Sequence, residues 1–105
     1  FKDDSKEKWE SILQLYNHLL LVEYSPVAAL NRTYALSKAN GKEEAIIEAE
    51  KLNLTNNHFY YTLLGELYRG IDNRKAKLNF EKARSLAKRD ADKQLILEKL
   101  DGLMK

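Results

Sequence analysis

The apolar residues of this sequence recur at every third or fourth position along almost its whole length. That spacing places them on one face of an α-helix, whereas a half-buried strand would need apolar and polar residues to alternate. No stretch alternates with a period of two, and the single proline, Pro26, stands where a helix can begin. The pattern therefore predicts an all-α fold of about six helices arranged as antiparallel hairpins.

Capping signals give the boundaries of the first two helices. The first is predicted from about Ser5 to Leu21, and Asp4 with Glu7 has the spacing of a capping box. In Ser25-Pro26 the serine can cap the second helix while the proline takes its first position, where a missing N–H group costs nothing. Asn40-Gly41 ends this helix, because glycine accepts the left-handed conformation that often follows a helix.

Four more helices follow from the same kind of evidence. The third is predicted over Lys42 to Leu52, where apolar residues keep the helical spacing. Asn57 is predicted to cap the fourth helix, and the pattern breaks near Gly70 to Asn73 before the fifth begins. Asp90 offers a cap for the sixth helix, which runs towards the end of the chain.

A second periodicity, of 34 residues, relates the second predicted helix to the fourth. It is the period of tetratricopeptide repeats, in which each repeat is a pair of antiparallel helices. The sequence therefore predicts a tetratricopeptide-like right-handed solenoid that forms one domain over residues 1–105. The pairs that carry the alignment are Leu30 with Leu64, Asn31 with Gly65, and Tyr34 with Tyr68.

Small residues are needed where two helices cross closely, so Gly65, Ala76 and Ala83 are predicted to be packing residues. Asn31 takes the small-residue position in the first repeat. It is expected to be buried there, with its amide satisfied by hydrogen bonds. The large side chains predicted to form the core are Trp9, Tyr16, Leu30, Tyr34, Leu64, Tyr68 and Phe80.

In such a solenoid the first helix of each repeat would line a concave groove. Two interpretations of its charges remain open. Arg32 and Glu66 could pair with each other, which would contribute at most about 1 kcal/mol if exposed. Alternatively, Arg32 and Arg69 could bind a carboxylate or phosphate of a partner. The candidates for this exposed surface are Ala28, Arg32, Ala35, Thr62, Glu66 and Arg69.

Nothing in the sequence favours catalysis. The chain has no cysteine, and its two histidines, His18 and His58, stand on different predicted helices without a carboxylate at helical spacing. The four glycines are scattered and form no phosphate-binding loop. We therefore expect no catalytic residue, no metal site, no cofactor and no small-molecule substrate.

The charge balance also limits the partners. The net charge is +2, from 18 basic and 16 acidic residues, which gives no global attraction for nucleic acid. Basic residues are in local excess between Glu66 and Lys93, where nine stand against five acidic ones. A solvated helix surface explains that excess, so direct binding of nucleic acid is not expected.

Neither a membrane span nor a signal peptide is evident. The longest apolar run, Leu19 to Val22, is far too short to cross a bilayer, and the start FKDDSKEK lacks an apolar signal region. We expect a cytoplasmic protein that does not contact a membrane. Because no methionine precedes Phe1, the chain is expected to be part of a longer protein.

Several stretches together resemble one known family. They are WESILQLYNHLLLVEYSPVAALNR followed by NG, then YYTLLGELY, AKLNFEKARSLA and DADKQLILEKL. They are similar to the C-terminal domain of bacterial extracytoplasmic-function-type RNA polymerase sigma factors that carry a tetratricopeptide-like extension. The resemblance covers nearly the whole chain and is most specific over Trp9 to Leu20 and Ser25 to Arg32. The family usually has an alanine-rich fourth helix with an arginine, where this chain has Tyr60, Tyr61, Thr62 and Gly65.

The resemblance implies a protein-interaction and regulatory domain of a sigma factor that acts in transcription initiation. Its partner would be a protein: the sigma factor's own N-terminal regions, the RNA polymerase core, or another regulator. The alternative is a stand-alone tetratricopeptide adaptor that binds a peptide or protein. Nucleic-acid binding through the fifth helix ranks third, because Phe80 is expected in the core and leaves no exposed ring for base stacking.

Overall fold

The computed structural model describes residues 5–103, and these residues form six α-helices with no strand between them. The prediction of an all-α fold with about six helices is confirmed. In chain order the helices are α1 (Lys6–Val22), α2 (Pro26–Asn40), α3 (Lys42–Leu52), α4 (His58–Tyr68), α5 (Asn73–Leu86) and α6 (Asp90–Leu103).

The helices are divided between two compact units. The first unit ends at Asn53, whose left-handed backbone (φ 47°) terminates α3, and the second begins at Leu54. In the first unit α2 packs against both α1 and α3. In the second unit α5 packs against both α4 and α6. Each unit therefore has one central helix with a neighbour on either side.

Hydrogen bonds at the helix ends confirm most of the predicted boundaries. The Ser25 hydroxyl accepts a hydrogen bond from the Ala28 N–H at 3.2 Å, as expected for the residue that caps α2. Gly41 ends that helix with a φ of +105°, a backbone region that residues with a Cβ rarely adopt. Asn57 caps α4 by accepting from the Phe59 N–H at 2.9 Å.

Two helix starts, those of α1 and α6, differ from the prediction in detail. Asp4, which belonged to the predicted capping box, lies outside the described residues. Ser5 caps α1 instead of beginning it, because its hydroxyl accepts a hydrogen bond from Lys8 N–H at 3.2 Å. Asp90, predicted to cap α6, is already its first residue. Asp72 caps α5 within the break predicted before that helix. The helices themselves are those that the apolar pattern predicts.

The core of the second unit is built around one close contact between α4 and α5. Gly65 of α4 faces the ring of Phe80, and both residues are buried. A Cβ atom added at Gly65 would lie 2.5 Å from Phe80 Cε1, a distance at which one of the two must shift. Ala76 and Ala83, on the same helix as Phe80, have no exposed surface. The ring thus fills the space that a side chain at Gly65 would need.

The core of the first unit comes mainly from α2 and α3 and uses smaller side chains. Ala35 is buried together with Leu36 and Ala39, so the prediction that Ala35 is exposed was wrong. On α3, Ala45 and Ala49 have no exposed surface. Helices that bury alanines can approach each other closely, which suits the tight packing of α2 against α3.

The expected burial of Asn31 is also wrong. Leu30 and Leu64, the first pair in the 34-residue alignment, are both buried. Asn31 is exposed, however, whereas its counterpart Gly65 is buried. An exposed amide can be solvated by water, so Asn31 does not need the buried hydrogen bonds that its position in the alignment suggested.

The tyrosine pair of that alignment is not equivalent either. Tyr68 is 8% exposed, whereas Tyr34 is 43% exposed and does not belong to the core. The ring of Tyr34 meets the edge of Trp9 on α1, with 5.5 Å between the ring centroids. The ammonium group of Lys38 lies 5.6 Å from the centroid of the Tyr34 ring. Tyr34 therefore joins α2 to α1 at the surface of the unit.

None of the described residues of α1 is buried. Trp9 and Tyr16, both predicted for the core, are only half-buried. The neighbour that covers α1 in its unit is α2, so one side of the helix remains open. Leu15, Leu19 and Val22 lie three or four positions apart on α1, and all are exposed.

The contact between Gly65 and Phe80 gives a direct test of the core. We expect Gly65→Ala to lower the free energy of unfolding by about 1–3 kcal/mol, because the new methyl group would overlap the Phe80 ring. Urea unfolding followed by circular dichroism measures this loss.

Gly102→Ala is the matched control on a second helical glycine. Its Cβ would lie 3.4 Å from Arg69 Nη1, the end of a flexible side chain. Its free energy of unfolding should therefore change by less than about 1 kcal/mol. Equal losses for the two variants would contradict the close packing of Gly65 against Phe80.

Candidate functional site

The predicted partner-binding residue of the first unit, Arg32, makes an internal contact. It is half-buried on α2, and its Nε donates a hydrogen bond to Asn17 Oδ1 on α1 at 2.5 Å. Together with the ring contact between Trp9 and Tyr34, this hydrogen bond fastens α1 to α2. Arg32 therefore has a structural role within its unit, besides the binding role predicted for it.

The other three predicted partner-binding residues lie on α4, in the second unit. Thr62 is half-buried, and its hydroxyl donates a hydrogen bond to the carbonyl oxygen of His58 at 2.8 Å. It also lines a small cavity of about 40 Å³ with Leu95 and Ile96 of α6. This side of α4 thus faces α6.

Glu66 and Arg69 continue the same side of α4, where they meet Lys99 of α6. One carboxylate oxygen of Glu66 lies 3.3 Å from Arg69 Nε, and the other forms an ion pair with the Lys99 ammonium group. Arg69 Nη2 also donates a hydrogen bond to the Lys99 carbonyl oxygen at 3.2 Å. These three residues form what we call the α4–α6 charge cluster.

The predicted partner-binding residues therefore lie in two different units. The structure brings Thr62, Glu66 and Arg69 together along the side of α4 that α6 contacts, whereas Arg32 belongs to the first unit. The guanidinium carbon of Arg69 also lies 5.7 Å from the centre of the Phe80 ring. Arg69 is therefore held by its own unit through charge, hydrogen bonding and an aromatic contact.

Sequence reasoning missed a second pair between the same helices. His58 Nε2 lies 3.7 Å from Asp92 Oδ2, and both side chains are largely buried. His58 Nδ1 is buried and has no hydrogen-bond partner among the described residues. A carboxylate at helical spacing from His58 would lie on α4 itself, whereas Asp92 lies on α6. Asp92 follows His58 by 34 residues (92 − 58), so the repeat period itself could have pointed to the pair.

The His58–Asp92 pair borders a pocket in the second unit, which we call the end pocket. It has a volume of about 320 Å³ and lies where α4 and α6 begin and α5 ends. Phe59 and Leu86 form its apolar wall, and Lys88 and Arg89 bring positive charge to its rim. Arg89 Nε lies 4.0 Å from Asp92 Oδ2. The pocket therefore combines apolar, cationic and acidic groups.

Two kinds of feature are absent from the described part of the chain. No group of three or more histidine, aspartate or glutamate side chains there is arranged to hold a metal ion. None of the described helices has the length and apolar character needed to cross a bilayer.

Comparison with known proteins gives one informative similarity. No family model matches this chain, and no solved structure matches it. An uncharacterized protein of Rhizobium meliloti (strain 1021) is 35% identical to it over 98 residues, which cover 90% of this chain. The chain spans only 23% of the length of that relative. The similarity therefore concerns one part of a much longer protein.

The hydrogen bond between Arg32 and Asn17 can be measured with a double-mutant cycle. We expect Arg32→Ala and Asn17→Ala to be coupled by about 1 kcal/mol, because either change removes the same bond between α1 and α2. Urea unfolding of the four proteins gives the coupling energy. A cycle of Arg32→Ala with Gln14→Ala, an exposed residue of α1, should be additive; coupling of the same size there would contradict a specific bond.

The α4–α6 charge cluster should respond to salt. We expect Lys99→Met to lower the free energy of unfolding by up to about 1 kcal/mol at low ionic strength, and by less in concentrated NaCl, which screens the ion pair with Glu66. Lys93→Met, at an exposed position of the same helix, is the control. A loss for Lys99→Met that does not depend on salt would show that the ion pair contributes nothing.

Proposed function

We propose that this chain is a C-terminal protein-interaction and regulatory domain of a bacterial extracytoplasmic-function-type RNA polymerase sigma factor. In this role it acts in transcription initiation, in the cytoplasm, by binding another protein. The observation that carries the proposal is the long stretch from Trp9 to Arg32, which resembles that family and forms one hairpin of two helices.

The contacts inside this hairpin support the resemblance. Asn17 belongs to the WESILQLYNHLL part of the stretch, and Arg32 is the last residue of SPVAALNR. The hydrogen bond between them links the two parts of the motif across α1 and α2. Ser25 caps α2 at the junction of the two parts. The residues that make the motif recognisable are thus the ones that fix the hairpin.

The finer fold proposal, a tetratricopeptide-like solenoid, draws its support from α4 and α5. These helices form a tightly packed pair in which Gly65, Phe80 and Ala83, the small and aromatic residues of the repeat pattern, are buried. The first repeat departs from the pattern, since Asn31 and Tyr34 are exposed. We therefore propose a repeat that is regular in α4 and α5 and divergent in α2.

A protein partner follows from the chemistry that the chain offers. In the described residues the candidate surfaces carry paired charges, exposed apolar side chains and a shallow pocket, as a binding domain would. The relative from Rhizobium meliloti is several times longer than the matched region. We propose that this chain likewise works beside the polymerase-binding and promoter-binding regions of a longer sigma factor.

The proposal is tested by binding and by transcription. The chain is immobilised, and its affinity is measured for bacterial RNA polymerase core and for a separate polypeptide that carries the other regions of such a sigma factor. We expect one of them to bind with a Kd of about 1 μM or tighter. Transcription in vitro from a promoter of that sigma factor should also change when the chain is removed from the full-length protein.

The control is Asn31→Asp, an exposed change in the resembling stretch that leaves the Arg32 hydrogen bond in place. It should bind like the parent chain. Absence of binding to both polypeptides, together with unchanged transcription, would contradict a sigma-factor domain. Binding to peptides alone would then favour the stand-alone adaptor.

A further inference from the structure

We propose that the end pocket is a binding site for an acidic peptide segment of a partner protein. In this site a carboxylate of the peptide pairs with Lys88 and Arg89, and a neighbouring apolar side chain packs on Phe59. The inference rests on the proposed role as a protein-interaction domain and gives that role a specific site within the second unit.

The size and the wall of the pocket suit one or two side chains. Its volume of about 320 Å³ lies at the lower end of the range typical of ligand pockets. Phe59 is 56% exposed, and the centroid of its ring lies 4.0 Å from that of the His58 imidazole. Leu86 continues the apolar wall. An apolar side chain placed here would remove this surface from water, which stabilises the complex.

The positive charge of the rim favours an anionic group. Lys88 and Arg89 follow the end of α5, are exposed, and reach the pocket from the same short turn. Lys88 forms no ion pair among the described residues. The side chain of Arg89 is 81% exposed, and its Nε lies 4.0 Å from Asp92 Oδ2. Arginine binds carboxylates through two parallel hydrogen bonds, so this pair can recognise one acidic side chain.

The half-buried Asp92 distinguishes a peptide from nucleic acid. Its carboxylate lies inside the pocket, beside His58, and would repel the phosphates of a nucleic-acid backbone. A peptide instead offers backbone N–H groups that can donate hydrogen bonds to this carboxylate, as well as an acidic side chain for the cations. An acidic peptide thus offers a carboxylate to the cations at the rim and N–H groups to the carboxylate inside the pocket.

The test measures fluorescence anisotropy of the labelled peptide GSDLDFDL with the whole 105-residue chain. The reference probe is GSNLNFNL, in which amides replace the carboxylates. We expect saturable binding of the acidic peptide, weakened by salt and at least about fivefold tighter than binding of the amide peptide. The double variant Lys88→Gln with Arg89→Gln should bind the acidic peptide about fivefold more weakly than the parent chain does. Phe59→Ala should also weaken binding of this peptide.

The matched control is Arg74→Gln with Lys77→Gln, which removes the same two charges from exposed positions of α5 outside the pocket. It should bind like the parent chain. All the altered residues are exposed, and unchanged circular dichroism melting curves establish that each variant is folded. Equal losses in the pocket and control variants would mean that only overall charge attracts the peptide, and would overturn the site.

Two further results would overturn the inference. One is the absence of saturable binding up to about 1 mM peptide. The other is tighter binding of a single-stranded uridine oligonucleotide, which would identify a nucleic-acid site. The sigma-factor proposal fails by a different result. If the chain binds the peptide but neither the polymerase core nor the other sigma regions, only the sigma-factor proposal is contradicted. The reverse result, binding to those proteins without peptide binding, overturns the pocket alone.

Discussion

The contact of Gly65 with Phe80 is the constraint on which the second unit depends. Because glycine has no side chain, the ring can lie against the backbone of α4, and α5 is drawn close along the buried face of Ala76 and Ala83. Since α6 packs on α5, it also comes within side-chain reach of α4. The charge cluster, the His58–Asp92 pair and the end pocket all exist because these helices approach so closely.

The first unit shows how a similar sequence can be packed in another way. Asn31 stands at the position that corresponds to Gly65 in the 34-residue alignment, but it is exposed. The helices α1 and α2 are joined instead by a hydrogen bond from Arg32 and by the ring contact of Trp9 with Tyr34. These contacts lie at the surface of the unit, and α1 buries none of its described residues completely.

The sequence was a good guide to the helices and a poor one to their contacts. Ser25, Gly41 and Asn57 mark helix ends correctly, because a cap depends on hydrogen bonds and backbone angles within a few residues. Burial depends on neighbours that are distant in the sequence, so the alignment with Gly65 misjudged Asn31. The end pocket was missed for the same reason: Asp92 meets His58 only once α5 has brought α6 back beside α4.

The distribution of paired and unpaired charge decides which surface of the second unit a partner can use. Glu66, Arg69 and Lys99 satisfy one another, so a ligand on that side of α4 would have to compete with α6 for the same groups. Lys88 and Arg89 are exposed beyond the end of α5, and Asp92 engages the arginine only at 4.0 Å. Pairing them with a carboxylate breaks no close internal contact. Lys88 and Arg89 can therefore meet a partner's carboxylate at the end pocket, whereas Glu66 and Arg69 in the middle of α4 are already engaged with Lys99.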